Sequence, residues 1–257
     1  MLTYNDIPYS ARPDPNLCVD VAVPDECPCC ATLVWLHGGG IEHGSRKLNA
    51  DWAAALCQYG IGVVSVEYRM YPDAQYPDFI VDCAEAVRWT VDHAVGYGLS
   101  ENILLGGASA GGYLTMMLCF DRQYLAAFDL EPEDLCGYLF DAGQPTSHFN
   151  VLKYRGIESR RLIVDEAGPL FHIKDARPDR PILITVADND IPARLEQNQL
   201  LCATLRHFEY DMSKVEMHVM KGFGHCGYTN AKDESGRMIY VELVKEFLDR
   251  HPIGQNA

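Results

Sequence analysis

Basic residues followed by an apolar run are lacking in MLTYNDIPYSARPDPNL, the pattern a secretory leader would show. Nowhere do eighteen apolar residues stand together, so we expect no signal peptide and no membrane-spanning helix. Positive charge is scarce, with 21 Lys and Arg against 36 Asp and Glu and a formal charge of −15. That balance repels a phosphate backbone and an anionic bilayer, so neither nucleic acid nor membrane is an expected partner. Fixed-period repeats, low-complexity tracts and linkers are also absent, which excludes solenoids and gives no reason to divide the chain. The run ECPCC places Cys27, Cys29 and Cys30 together, yet no second ligand pair with zinc spacing follows, and we expect no metal and no cofactor. The remaining cysteines, at 18, 57, 83, 119, 136, 202 and 226, lie mostly inside apolar patterns and not in the loops of a disulfide framework. Reduced thiols and a cytoplasmic location follow as the expectation.

What is present is ordinary globular material: 257 residues, 48% of them apolar, within reach of one large α/β domain spanning 1–257. Two extended stretches open the chain at 3–7 and 17–23. In the second, Leu17, Val19, Val21 and Val23 alternate with Cys18, Asp20 and Ala22, which reads as a half-buried antiparallel strand pair. The pattern then changes to continuous apolar strands, ATLVWL, IGVVSV, NILLG, GYLFDA, PILITV and VEMHVM, separated by helical stretches. This is the rhythm of βαβ crossovers and a mostly parallel sheet with helices on both faces. Helices are expected over 77–91, 194–208 and about 235–250, each with an apolar stripe. Only 143–181 is irregular; it holds Lys153, Arg155, Arg160 and Arg161 among aromatics and acids, and we read that basic cluster as solvated loop.

Gly107-Ala108-Ser109-Ala110-Gly111 joins the strand ILL to the helical run YLTMMLCF. A G-x-S-x-G string arises by chance in roughly one chain of this length in ten, so its strand-turn-helix setting carries the argument. Small neighbours let the turn hold Ser109 in a strained backbone region with its hydroxyl exposed, the geometry of a nucleophile elbow. His37-Gly38-Gly39-Gly40 ends the strand ATLVWL, and three glycines leave backbone amides unshielded, as the oxyanion of an acyl-transfer intermediate requires. A serine nucleophile needs a histidine base, and the histidine needs a carboxylate to fix its tautomer. His225, in the glycine-rich loop KGFGHCGY before the last helix, suits the base better than His218 inside a strand. For the acid, the turn after PILITV supplies Asp188 and Asp190. Asp188 is favoured as the first residue able to leave the strand, Asp190 being available as a helix cap, and both remain open.

These residues resemble the esterase branch of the α/β-hydrolase superfamily that carries HGGG, including acetyl-esterase-like, hormone-sensitive-lipase-like and feruloyl-esterase-like carboxylesterases. VEYRMYPDAQYPDFIVDCAEAVRWT, GASAGGYL, PILITVADNDIP and KGFGHCGY carry the resemblance over about 31–228. It implies Ser109 as nucleophile, His225 as base, Asp188 as orienting acid, and the amides of Gly38, Gly39 and Ala110 as oxyanion hole. Ala108 departs from the aspartate common before the nucleophile, and only 36 residues precede His37, too few for a long cap. The implied activity is hydrolysis of short-acyl esters by a serine esterase, with an acetylated oligosaccharide as the favoured small-molecule substrate. Homo-oligomerisation is compatible with all of this. An arylformamidase-like amidase and a non-catalytic ligand-binding relative are the alternatives.

Overall fold

The computed structural model describes residues 1–47, 49–175 and 179–253, so part of the irregular segment, 176–178, lies outside the described residues. In chain order the elements are β1 (Leu2–Pro8), β2 (Cys18–Val23), β3 (Ala31–Leu36), α1 (Ala50–Gln58), β4 (Ile61–Val66), α2 (Asp78–His93), β5 (Ile103–Ala108) and α3 (Ala110–Phe120). Then follow α4 (Arg122–Ala126), β6 (Gly137–Asp141), α5 (Phe149–Tyr154), α6 (Pro169–His172), β7 (Ile182–Asn189), α7 (Arg194–His207), β8 (Val215–Gly224) and α8 (Ile239–Arg250).

The eight strands form one sheet in the order β1-β2-β4-β3-β5-β6-β7-β8. β2 runs antiparallel to both β1 and β4, and from β4 onward every pairing is parallel. The mostly parallel sheet with an antiparallel N-terminal pair is as expected. One detail differs, since β2 is buried at every position and not on alternate ones. The second face is covered from elsewhere in the chain: Ala22 packs into the layer with α1, and Asp20 is buried against Arg46 and Lys47, which no local alternation can report.

Alternation along the buried strands splits the core into two layers. Val34, Leu36, Val64, Val66, Leu105 and Phe140 face α2, α3 and α7. Leu33, Trp35, Val63, Leu104, Leu139 and Leu183 face α1 and α8. α3 is buried along its whole length, so it packs without the polar face that the outer helices keep. It approaches β3 closely, because a Cβ on Gly111 would stand 1.9 Å from the Leu36 carbonyl oxygen. This near contact brings the ends of β3 and β5, with their two glycine-rich turns, side by side.

Candidate active site

Ser109 occupies the turn between β5 and α3 with φ 56° and ψ −111°, a conformation that L-residues rarely adopt. Its amide donates to the Asp141 carbonyl at 2.7 Å, and its carbonyl accepts from Tyr113 at 3.0 Å as α3 begins, so the strain is held from both sides. The Ser109 hydroxyl lies 2.8 Å from His225 Nε2. His225 comes from the loop after β8, and its Nδ1 lies 2.6 Å from Asp190 Oδ1. Three residues distant in sequence therefore form one hydrogen-bonded chain from hydroxyl to carboxylate.

The acid in that chain is Asp190 and not Asp188, which corrects the expectation above. β7 continues through Asn189 with a register irregularity against β8 between Ala187 and Asn189, so Asp188 is still within the strand. Its carboxylate accepts the Gly222 amide of β8 at 2.8 Å and the Asn189 side-chain amide at 3.1 Å. Asp190 does not cap α7 either: that helix starts at Arg194 with no side-chain cap. Asp190 turns back instead, accepting the amides of Ile191 at 2.7 Å and Ala187 at 3.3 Å. Its side chain is 1% exposed. Burial pushes its pKa up, but the His225 contact and these amides outweigh that and hold it below the ordinary carboxylate range.

The His37 turn lies against the elbow. Gly38 has no Cβ, and one placed there would stand 3.3 Å from the Ser109 Cβ and 3.0 Å from the Ala108 carbonyl oxygen. Gly39 has φ +114°, and its carbonyl accepts the amides of Glu42 and His43, closing the turn on itself. Gly38 is thus beside the nucleophile, as is Ala110, the first residue of α3, and Gly39 follows Gly38 in the turn. His37 points away from the turn's front. It stacks on Tyr68 with ring centroids 4.3 Å apart, and its Nε2 lies 3.0 Å from Glu67 Oε1. Glu67 accepts Arg46 at 3.1 Å, and Arg46 also donates to Asp20 at 3.0 Å and to Asp6 of β1. Burial pushes Glu67 up, yet the His37 and Arg46 bonds bring it below the ordinary range. From the other side, Asn150 of α5 donates to the Gly40 carbonyl at 2.6 Å.

Sequence reasoning missed Asp141, although a charged residue ending the apolar run GYLF was a usable signal. Asp141 is fully buried at the end of β6 and accepts the hydroxyls of Thr185 at 2.7 Å, Thr229 at 3.2 Å and Tyr228. Tyr228 and Thr229 belong to the His225 loop, so one carboxylate fastens that loop to β6 and β7. Burial lifts its pKa to about 6 in spite of the three donors. Glu67, Arg46 and Asn150 were missed because each acts through a partner far away in the chain.

The basic cluster is largely neutralised where it stands. Lys153 pairs with Glu42 at 2.5 Å, Arg155 with Asp165 at 3.1 Å, and Arg160 with Glu158 at 2.6 Å. The ECPCC thiols go to separate backbone carbonyls, Cys27 to Cys57, Cys29 to Ala31 and Cys30 to Gly60.

Residues 19–134, less than half of the chain, match the family model described as BD-FAE. Lipase 2 of Moraxella sp. is 37% identical over 90 residues, 34% of this chain and 21% of that protein. Ethyl acetate hydrolase of Pseudomonas putida is 27% identical over 249 residues, 85% of this chain and 74% of that one. This chain therefore spans only about a fifth of the Moraxella lipase but most of the Pseudomonas hydrolase. Among solved structures, esterase B from Lactobacillus rhamnosis superposes with a TM-score of 0.79 at 17% identity, covering 97% of this chain and 86% of that one. A truncated carbohydrate esterase from gut microbiota gives 0.77 at 17% identity, covering 98% and 96%. The fold is that of the α/β-hydrolases.

Proposed function

We propose that this chain is a serine ester hydrolase that cleaves short-acyl esters through an acyl-enzyme. The observation that carries the reading is the unbroken chain from Ser109 through His225 to Asp190, at 2.8 and 2.6 Å. The named activities of the similar proteins, an ethyl acetate hydrolase, a lipase and esterases, point the same way.

In the acylation half, the Ser109 oxygen attacks the ester carbonyl while His225 Nε2 takes the hydroxyl proton. Asp190 holds Nδ1 as the donor and stabilises the imidazolium that results. The carbonyl oxygen becomes an oxyanion, and we assign its stabilisation to the amides of Gly38, Gly39 and Ala110. The intermediate collapses by breaking the bond to the alcohol oxygen, which leaves with the proton from His225. Water then attacks the acyl-serine with His225 again as base; carboxylic acid departs and Ser109 recovers its proton. No cofactor enters this cycle.

The acyl group is read as short, because 143–181 carries Lys153, Arg155, Glu158, Arg160, Arg161, Asp165 and Glu166, a poor wall for a fatty chain. The alcohol is read as carbohydrate-like, with an acetylated oligosaccharide favoured, and a structural neighbour named as a carbohydrate esterase supports this. The cytoplasm is the proposed location, on the strength of ten thiols with no disulfide among them.

The test is phenyl acetate hydrolysis beside formanilide hydrolysis, with a phosphonate inhibitor used to map the nucleophile. Ester turnover lost in Ser109→Ala, with the phosphonate on Ser109 in the unsubstituted protein, is the expected result. Faster cleavage of the formanilide would replace the esterase reading with the amidase one, and labelling at another residue would overturn the site.

A further inference from the structure

Arg194 occupies an unfavourable place for a cation. It is the first residue of α7, at the positive end of the helix dipole, and it follows Ala193, which has φ 66° and gives the helix no side-chain cap. It is only 2% exposed, and among the described residues no carboxylate pairs with its guanidinium. Nη1 donates to the Ala142 carbonyl at 2.5 Å and Nη2 to Gln144 Oε1 at 3.3 Å, while the buried Nε has no partner among the described residues. Burial pushes its pKa down, yet a guanidinium keeps its proton inside a protein. A buried cation without a paired carboxylate is strongly destabilising unless another charge nearby answers it.

Two features tie this residue to the triad. The first is connectivity. Arg194 follows Asp190 by four residues, and its amide donates to the Ile191 carbonyl at 2.9 Å, so the turn that aims the Asp190 carboxylate ends on Arg194. The Ala142 carbonyl that takes Nη1 lies one residue beyond Asp141, whose own carbonyl takes the Ser109 amide at 2.7 Å. The guanidinium therefore joins the loop of the acid to the strand end that holds the nucleophile's turn. The second feature is charge. The carboxylate that acts most strongly on Arg194 is Asp190, followed by the thiol of Cys226, the chain neighbour of His225. A carboxylate beside His225 favours the imidazolium, which cannot take the serine proton, and a fixed cation near the pair opposes that.

Resting on the esterase reading, we propose that Arg194 is a positioning residue of the triad: it locks the acid loop to the end of β6, and its charge keeps the His225 ring free to accept the Ser109 proton. The other titratable groups about the pair are Asp141 of β6 and Cys226 of the His225 loop, and His148, at the start of α5, faces the guanidinium itself. Burial pushes His148 down and the Cys226 thiol up, so both are neutral near pH 7. Asp141, with a pKa of about 6, contributes to an acid limb, but it is bonded to Thr185, Tyr228 and Thr229, which the variants below leave in place.

The test follows kcat/KM for phenyl acetate against pH. Arg194→Met removes the charge and both bonds but keeps an unbranched side chain, whereas Arg194→Lys keeps the charge and one donor. Arg194→Met should lower the plateau about tenfold and move the acid limb up by about 0.5–1 in pH; Arg194→Lys should leave the limb in place and hold the plateau within about threefold. Gln144→Glu leaves Arg194 untouched and pairs its guanidinium with a carboxylate, so it should move the limb up as well, and it serves equally if Arg194→Met does not fold. A plateau unchanged in Arg194→Met, a limb that stays in place in both Arg194→Met and Gln144→Glu, or a limb that moves as far in Arg194→Lys as in Arg194→Met would overturn the proposal, while phenyl acetate turnover by the unsubstituted protein left the esterase reading standing. Failure of the unsubstituted protein to hydrolyse phenyl acetate would overturn both.

Discussion

Asp190 Oδ1 lies within 2.7 Å of both the His225 ring and the Ile191 amide, so an amide side chain there would present a donor where two donors already converge. Asp190→Asn should therefore reduce ester kcat by about a thousandfold or more through the wrong histidine tautomer. Asp188→Asn should keep turnover within a few-fold and cost about 1 kcal/mol through its bond to the Gly222 amide. Steady-state kinetics on the pair, with urea unfolding, checks both. Asp141 offers a different test. Its folded pKa of about 6 lies above the 3.8 of an unperturbed aspartate, so the folded state binds the extra proton and stability from this group falls as pH rises from about 4 to 6. Asp141→Asn should remove that loss, and its stability relative to the unsubstituted protein should rise by up to about 3 kcal/mol between pH 4 and 7 in urea titrations. Ser109 and His225 were legible because small residues and glycines advertise the turns that hold them. Choosing between two aspartates two positions apart was not, because a register irregularity in β7 decides where the strand ends.

Elements were legible where burial is uniform. The parallel strands read as unbroken apolar runs because both faces are covered, and α2 and α8 kept their stripes, whereas α7 buries Arg194, Gln197 and Asn198 beside Leu201 and Leu205. The full burial of β2 and the short helices α5 and α6 were not: Arg46 and Lys47 cover Asp20 of β2 from another segment, and α5 is held to the His37 turn through Asn150. Close approach between elements sets the next prediction. Gly111→Ala would drive a methyl group into the Leu36 carbonyl of β3, a backbone atom that cannot rotate away, and should cost about 3 kcal/mol in urea unfolding. At the far edge, Glu216 of β8 takes Arg250 at 2.8 Å and His251 at 3.0 Å, tying down the end of α8. The Arg250 bond leads in holding Glu216 down to about 2. Because that pKa is depressed, the stabilisation is present above about 4.5 and fades as pH falls toward 2. Glu216→Gln should cost about 1–2 kcal/mol at pH 7, with the difference shrinking over that acid window.

At the scale of the whole molecule, the formal charge of −15 and the paired cations over 143–181 bear on substrate choice. Acetyl and propionyl nitrophenyl esters should exceed octanoyl ones by roughly tenfold or more in kcat/KM, measured across a chain-length series. A rate climbing from acetate to decanoate would contradict this. The hydrogen-bonded path from β1 to the His37 turn has a consequence in the order of synthesis. Asp6, ahead of the turn in the chain, grips Arg46, and Arg46 meets Glu67, which follows β4 and bonds the His37 ring. On the ribosome the outermost strand thus exists before the turn it will brace, and the turn takes its final shape only once β4 has threaded between them. A chain lacking residues 1–8 could still assemble β3 to β8, but its Arg46 would lose one anchor and its turn would be left looser beside an intact triad. Such a truncation should lower kcat more than it raises KM.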